Sequence, residues 1–300
     1  MTTGQRPTEH VVTVQGRPRR SLMTVPESPA GAPLVLVLHG SNQKPETIRR
    51  FTDPGFDTLA TRFGAVVAYP EGFKKHWNDA RASSDFAARA EGYDDVAFLR
   101  ALIDDAHARL DIDLSRVYAI GFSNGGQIVT RLAHEIPESL AGIALIGATQ
   151  PAPENFAPDH DHELPLPVLL IHGTKDPNVP YDGGMASLFG FRPRGLGLSA
   201  PQTAAYWALR NGIAAPPARL PLPRLPRDVT RVDRLDYTQD GKAPVRLYTV
   251  HGGGHVIPGN KKAPRIMGRT SRGIRTAEEI ADFFALRAAM PQHERPTPPA

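Results

Sequence analysis

The chain has 300 residues, 40% of them hydrophobic, enough to build a sizeable core in one large domain. Its 35 Lys and Arg against 31 Asp and Glu leave a net charge of +4, and the bases are scattered without interleaved aromatics, which argues against nucleic acid as the main partner. There is no cysteine, so disulfides, thiolate metal sites and cysteine nucleophiles are excluded, and no run approaches the roughly 18 apolar residues of a membrane helix.

Residues 1–9 are expected to form a flexible lead-in. The first twenty residues, MTTGQRPTEHVVTVQGRPRR, contain no apolar segment of a secretory signal. A cytoplasmic protein is the expectation, with a secreted mature chain as the alternative. HVVTVQG and RRSLMTV are β-rich runs around a Gly/Pro turn and predict an antiparallel hairpin. APLVLVLHG is almost continuously apolar, as a strand buried on both faces of a parallel sheet would be, and ends in His39-Gly40.

Helical periodicity then alternates with short apolar runs. TIRRFTDPGFDTLATRFG leads into AVVAYP, DDVAFLRALIDDAHARL into RVYAIG, GGQIVTRLAHEI into LAGIALIGA, and the series reaches PLPVLLIHG. This alternation predicts an α/β fold with a mostly parallel central sheet flanked by helices. Beyond Asp176 the rhythm loosens: residues 181–201 and 213–229 are rich in Gly and Pro and have no helical period. Within the latter, PPARLPLPRLP reads as an extended surface connector rather than a polyproline ligand. A helix in PQTAAYWALRNG, a strand in PVRLYTVHG and a helix in TAEEIADFFALRAAM complete a single domain over 10–289, before a disordered tail at 290–300.

The chemistry centres on Gly121-Phe122-Ser123-Asn124-Gly125, which lies between a predicted strand and a helix with Ile128, Leu132 and Ile136 on one face. That strand–turn–helix setting gives a G-x-S-x-G match its meaning: the turn exposes a strained serine, and the helix N-terminus aims partial positive charge at the reacting centre. A serine hydroxyl needs a base and the base an orienting carboxylate, each expected in a loop after a later strand, in the order Ser, acid, His. Asp176 follows PLPVLLIHG. His255 lies in the glycine-rich loop beyond VRLYTVHG, and His251 at the end of that strand reads as a packed residue.

An oxyanion hole takes backbone N–H groups: that of Asn124, and one from LHGSNQ, where Ser41 is preferred and Gly40 and Asn42 stay open. His39 and Gly40 are expected to line the pocket floor. Trp77 is a candidate pocket wall, with a core position equally open. His172 reads as a strand-end residue near the acid, Asp94 as a helix N-cap with Asp95 in the first turn, and PDHDHE (158–163) as a solvated loop rather than a metal site. No metal site is expected, and neither membrane nor nucleic acid is an expected partner.

LVLVLHGSNQ, AVVAYPEG followed by a Trp, DDVAFLRALID, RVYAIGFSNGGQ, IHGTKDPNVPYDGG and LYTVHGGGHVIPG occur in this order. Together they resemble the polyhydroxybutyrate depolymerase/feruloyl esterase-like branch of the α/β-hydrolases, related to carbohydrate esterase family one, across roughly residues 10–288. The resemblance implies Ser123 as nucleophile, Asp176 as acid, His255 as base and the turn after His39 as half of the oxyanion hole. It also implies cofactor-free hydrolysis of small or oligomeric esters of the hydroxyalkanoate or hydroxycinnamoyl type. Many secreted relatives carry a cysteine where this chain has Ile213, and its absence agrees with an intracellular location. A peptidase or amidase on the same fold, and a catalytically silent binding protein, are the alternative functions.

Overall fold

The computed structural model describes residues 6–51, 55–158 and 162–286. The elements run β1 (Thr8–Val14), β2 (Arg17–Thr24), β3 (Leu34–Leu38), α1 (Pro45–Phe51), α2 (Asp57–Phe63), β4 (Val66–Pro70), α3 (Ala87–Ala90), α4 (Asp95–Leu110), β5 (Val117–Phe122), α5 (Asn124–Glu135), β6 (Gly142–Ile146) and β7 (Val168–Gly173). They continue through β8 (Gly184–Leu188), β9 (Phe191–Gly197), α6 (Ala200–Arg210), β10 (Ala218–Pro221), β11 (Arg231–Tyr237), β12 (Val245–His251) and α7 (Thr276–Phe283).

One ten-stranded sheet runs in the order β1-β2-β4-β3-β5-β6-β7-β12-β11-β10. Its centre, from β4 to β12, is parallel, and both flanks are antiparallel. The expected lead-in hairpin is β1–β2. It begins at Thr8, two residues inside the stretch expected to be flexible. Residues 1–5 and the tail at 290–300 lie outside the described residues.

Burial on both faces explains why the central strands are apolar without alternation. In β3, Leu34, Leu36 and Leu38 point into a core shared with α4, α5 and α6, whereas Val35 and Val37 point into a second core with α1, α2 and α7. Ile128, Leu132 and Ile136 lie in the first core, so the apolar stripe read from the sequence is the face that α5 packs on the sheet. Asp94 caps α4 as expected, its carboxylate accepting from Ala97 N at 2.8 Å. Its neighbour Asp95 is fully buried and paired with Arg19 at 2.5 Å.

The two stretches without helical period contain strands. The 181–201 segment holds the β8–β9 hairpin, a separate two-stranded sheet. Within 213–229, β10 pairs with β11 at the edge of the main sheet, every residue of it exposed. Of the PDHDHE loop, residues 159–161 lie outside the described residues.

Candidate active site

The parallel strands bring their carboxyl ends to one edge, where ligands bind in open α/β sheets. Ser123 follows β5 directly with φ 55° and ψ −118°, a backbone conformation that stores strain of order 1–3 kcal/mol. Two glycines make the turn possible by close approach. A Cβ on Gly121 would stand 2.1 Å from Gly125 O, and one on Gly125 would stand 2.1 Å from Leu38 O. The turn is fastened by Ser123 N donating to Ile146 O at 2.9 Å.

Asp176 sits in the turn after β7. Its Oδ1 accepts from Asn178 N and Val179 N, both at 2.8 Å, and its Oδ2 from His255 Nδ1 at 2.7 Å. Burial works against ionisation of this carboxyl. The adjacent His255 and the hydrogen bonds outweigh burial and hold it below the usual carboxylate range. His255 is 2% exposed and stacks at a tilt on Phe122, ring centroids 4.9 Å apart, with its backbone N–H on Met267 O at 2.7 Å. With Nδ1 donating to a carboxylate, Nε2 is left as the basic nitrogen.

His172 lies on the other side of the acid, its Nε2 2.9 Å from Val179 O and 3.5 Å from Asp176 Oδ2. Burial lowers its pKa and keeps it neutral, so it steadies the 176–179 turn. His251 is tied to Asp233 at 3.0 Å, as a packed strand-end residue.

Ser123 and His255 line a cavity of about 310 Å³, together with Gly40, Ser41 and Asn124. Two amides of the loop after β3 are occupied: Gly40 N donates to Gln43 Oε1 at 3.1 Å, and Asn42 N to Lys75 O at 3.0 Å. Among the described residues, Ser41 N–H has no such partner. It is the loop amide available to an oxyanion, alongside that of Asn124 at the start of α5.

His39 and Trp77 do not line this cavity, contrary to expectation. Both are fully buried. His39 accepts from Gly72 N through Nε2 at 3.0 Å and bonds Gly40 O through Nδ1 at 2.8 Å. Trp77 spends its indole N–H on His39 O at 2.9 Å, and the two rings lie 4.9 Å apart. The pair forms the layer beneath the oxyanion loop, and burial pushes the His39 pKa down to about 4. Gly40 does line the cavity as expected.

Sequence reasoning missed a buried polar network behind Asn124. The Asn124 side chain accepts from Trp77 N at 3.0 Å and donates to Asp79 Oδ2 at 2.5 Å. Asp79, fully buried, also holds Arg81 in a two-point pair at 3.1 and 2.5 Å. The signal was the run Trp77-Asn78-Asp79-Ala80-Arg81, an acid and a base two residues apart in a non-helical loop. The β8–β9 hairpin forms a further wall, anchored by Ala152 N and Asn155 Nδ2 on Leu196 O and by Ser83 Oγ on Arg194 O.

The phospholipase/carboxylesterase family model matches residues 67–188. A putative esterase, NocK, of Nocardia uniformis subsp. tsuyamanensis is 32% identical over 289 residues, covering 92% of this chain and 82% of that protein. The chain belongs to the polyhydroxybutyrate depolymerase/feruloyl esterase-like family of α/β-hydrolases. Feruloyl esterase B of Piromyces equi is 26% identical over 208 residues, 64% of this chain but only 34% of that protein. An acetyl xylan esterase from Aspergillus awamori shares the fold, with a TM-score of 0.61 at 14% identity over 93% of this chain and 99% of its own.

Proposed function

We propose that this α/β-hydrolase is a serine esterase in which Ser123, His255 and Asp176 act as nucleophile, base and orienting acid. Carboxylic ester hydrolysis is the chemistry of the family. The observation that carries the assignment of residues is the 2.7 Å bond from His255 to the buried Asp176, in a cavity that the strained Ser123 also lines.

Ser123 Oγ attacks the ester carbonyl as His255 Nε2 takes its proton, while Asp176 holds the imidazole in the tautomer that leaves Nε2 unprotonated. The Ser41 and Asn124 amides receive the tetrahedral oxyanion, each worth roughly 3–4 kcal/mol of transition-state stabilisation. His255 passes the proton to the departing alcohol. Water, deprotonated by the same nitrogen, then cleaves the acyl-serine. Hydroxyalkanoate, feruloyl and acetyl-type esters are the substrate classes to compare.

The test is Ser123→Ala against wild type on short p-nitrophenyl esters, with labelling by a fluorophosphonate probe. Wild type is expected to turn over ester and take the label, and the variant to do neither while keeping its melting temperature. Equal rates for the two proteins would end the proposal.

A further inference from the structure

Two of the segments that contribute to the cavity wall are basic. From Gly252 to Thr276 the sequence has six Lys or Arg and no Asp or Glu. All six bases are exposed, and the segment contributes Pro264 and Met267 to the cavity wall. The β8–β9 hairpin carries Arg192 and Arg194, and Gly183–Leu198 likewise has no acid. Removing these two segments would leave a chain with more acids than bases. The cavity lining itself includes two arginines, Arg81 and Arg194, and no Asp or Glu.

The two lining arginines are held differently. Arg81 is committed to Asp79, buried and bonded at two points. Arg194 has a side chain only 16% exposed, lies over the Phe86 ring at 4.3 Å, and is paired at 2.9 Å with Asp85, whose side chain is 83% exposed. A pair with so solvated a partner is worth little and exchanges readily for another carboxylate. Burial lowers the Arg194 pKa and Arg81 and Arg192 add repulsion, which Asp85 and the more distant Asp79 only partly oppose.

We infer that, within the esterase reading on which this rests, the site selects esters bearing a second, anionic group. Arg194 receives a carboxylate at the far end of the substrate, displacing Asp85, and a lining with two arginines and no acid favours entry of the anion. The guanidinium fork suits a carboxylate's two oxygens, and a cleft lined by one sign of charge focuses its field on the entering ligand.

The matched pair monoethyl adipate and ethyl hexanoate tests this, since the two acyl chains have equal length and differ in the terminal carboxylate. In a pH-stat assay at low salt, wild type is expected to favour the monoanion in kcat/KM by about tenfold, mainly through KM, and to lose that preference as salt is raised. Arg194→Gln should cut the ratio of the two kcat/KM values by about tenfold, and Arg194→Lys should retain part of it. Arg100→Gln, the same charge change at an exposed pair with Glu138, should leave the ratio unaltered. Calorimetric binding of monoethyl adipate to Ser123→Ala, with and without Arg194→Gln, reads the anion site without turnover. Salt-sensitive binding that needs Arg194, in a wild type that hydrolyses neither these esters nor p-nitrophenyl esters, keeps the anion site at Arg194 and sinks the esterase reading. Hydrolysis of both esters with a ratio unaffected by Arg194→Gln overturns the inference and leaves the esterase standing.

Discussion

The network behind the oxyanion loop gives the most discriminating prediction, through Asn124→Ala and Asn124→Asp. Asn124 is 2% exposed, and its amide satisfies Trp77 N–H at 3.0 Å and Asp79 Oδ2 at 2.5 Å. Alanine strands a buried donor, at about 1–3 kcal/mol, and removes a charge-assisted bond worth about 1.5–3 kcal/mol. Asp79 keeps Arg81, so the second loss is partial. A net cost of about 3 kcal/mol follows, or about 5 °C in Tm for a domain of this size. Because the proposed oxyanion hole takes the backbone N–H of the same residue, kcat on p-nitrophenyl acetate should fall by about tenfold or more while KM changes less.

Aspartate replaces the Nδ2 donor with an oxygen facing the Asp79 carboxylate. One of the two must then hold a proton, so the new carboxyl has a raised folded pKa. A raised carboxyl pKa contributes least where the unfolded chain has ionised and the folded one is forced to follow. The deficit of Asn124→Asp should therefore grow as pH rises from 5 to 8, exceeding that of alanine at the upper end. Thermal melts of the three proteins across that range decide it. An alanine variant melting within about 1 °C of wild type, or two variants of equal stability at every pH, would refute the reasoning.

Gly125→Ala should cost more than about 4 kcal/mol or prevent folding, because its Cβ would meet Leu38 O at 2.1 Å and His39 O at 2.7 Å. Denaturant titration of any soluble variant would show it, and a near-wild-type midpoint would contradict the packing argument. His39 stays neutral when folded down to about pH 4, whereas the unfolded chain takes the proton near 6.5. As pH falls through that window it withdraws stability approaching ~3 kcal/mol, so His39→Gln should flatten the acid limb of the stability curve in urea titrations at pH 7 and 4.5. A difference between the two proteins that does not vary with pH would count against this. Gly195→Ala combines a φ of +87° with a Cβ 2.2 Å from Asn155 Nδ2 and Ser83 Oγ, so it should displace the hairpin. KM is expected to rise several-fold with Tm changing by less than about 2 °C, and an unchanged KM would mean that the hairpin wall does not contact substrate.

Much of this molecule was legible because its signals are local or periodic. The central strands announce themselves as β-branched and leucine-rich runs, and the turn at Ser123 as glycines at fixed offsets beside an amphipathic helix. Asp176 and His255 were singled out by chain order, each in a loop after a strand of the same sheet, and the fold brings them together at 2.7 Å. What escaped was set by loops. His39 read as pocket floor and Trp77 as pocket wall or a surface or core residue, yet both are buried, since their burial depends on how two distant loops lie on each other. The β8–β9 hairpin and β10 are half-buried or exposed and rich in Gly and Pro, so no hydrophobic period marks them. Asp79 and Arg81 look like surface charges until a neighbouring helix N-terminus covers them.

By itself the sequence determined the architecture and the sharp turn at Ser123, and it pointed to Asp176 and His255, which the fold pairs at 2.7 Å, because backbone geometry and core burial constrain residue type within a few positions. Only the tertiary structure decided which loop amide is free for an oxyanion, which aromatic and acidic side chains are sealed beneath it, and that a basic hairpin closes one wall of the cavity. Those properties arise from contacts between segments tens of residues apart, and no local pattern encodes which hydrogen-bonding groups will already be satisfied when the chain has closed.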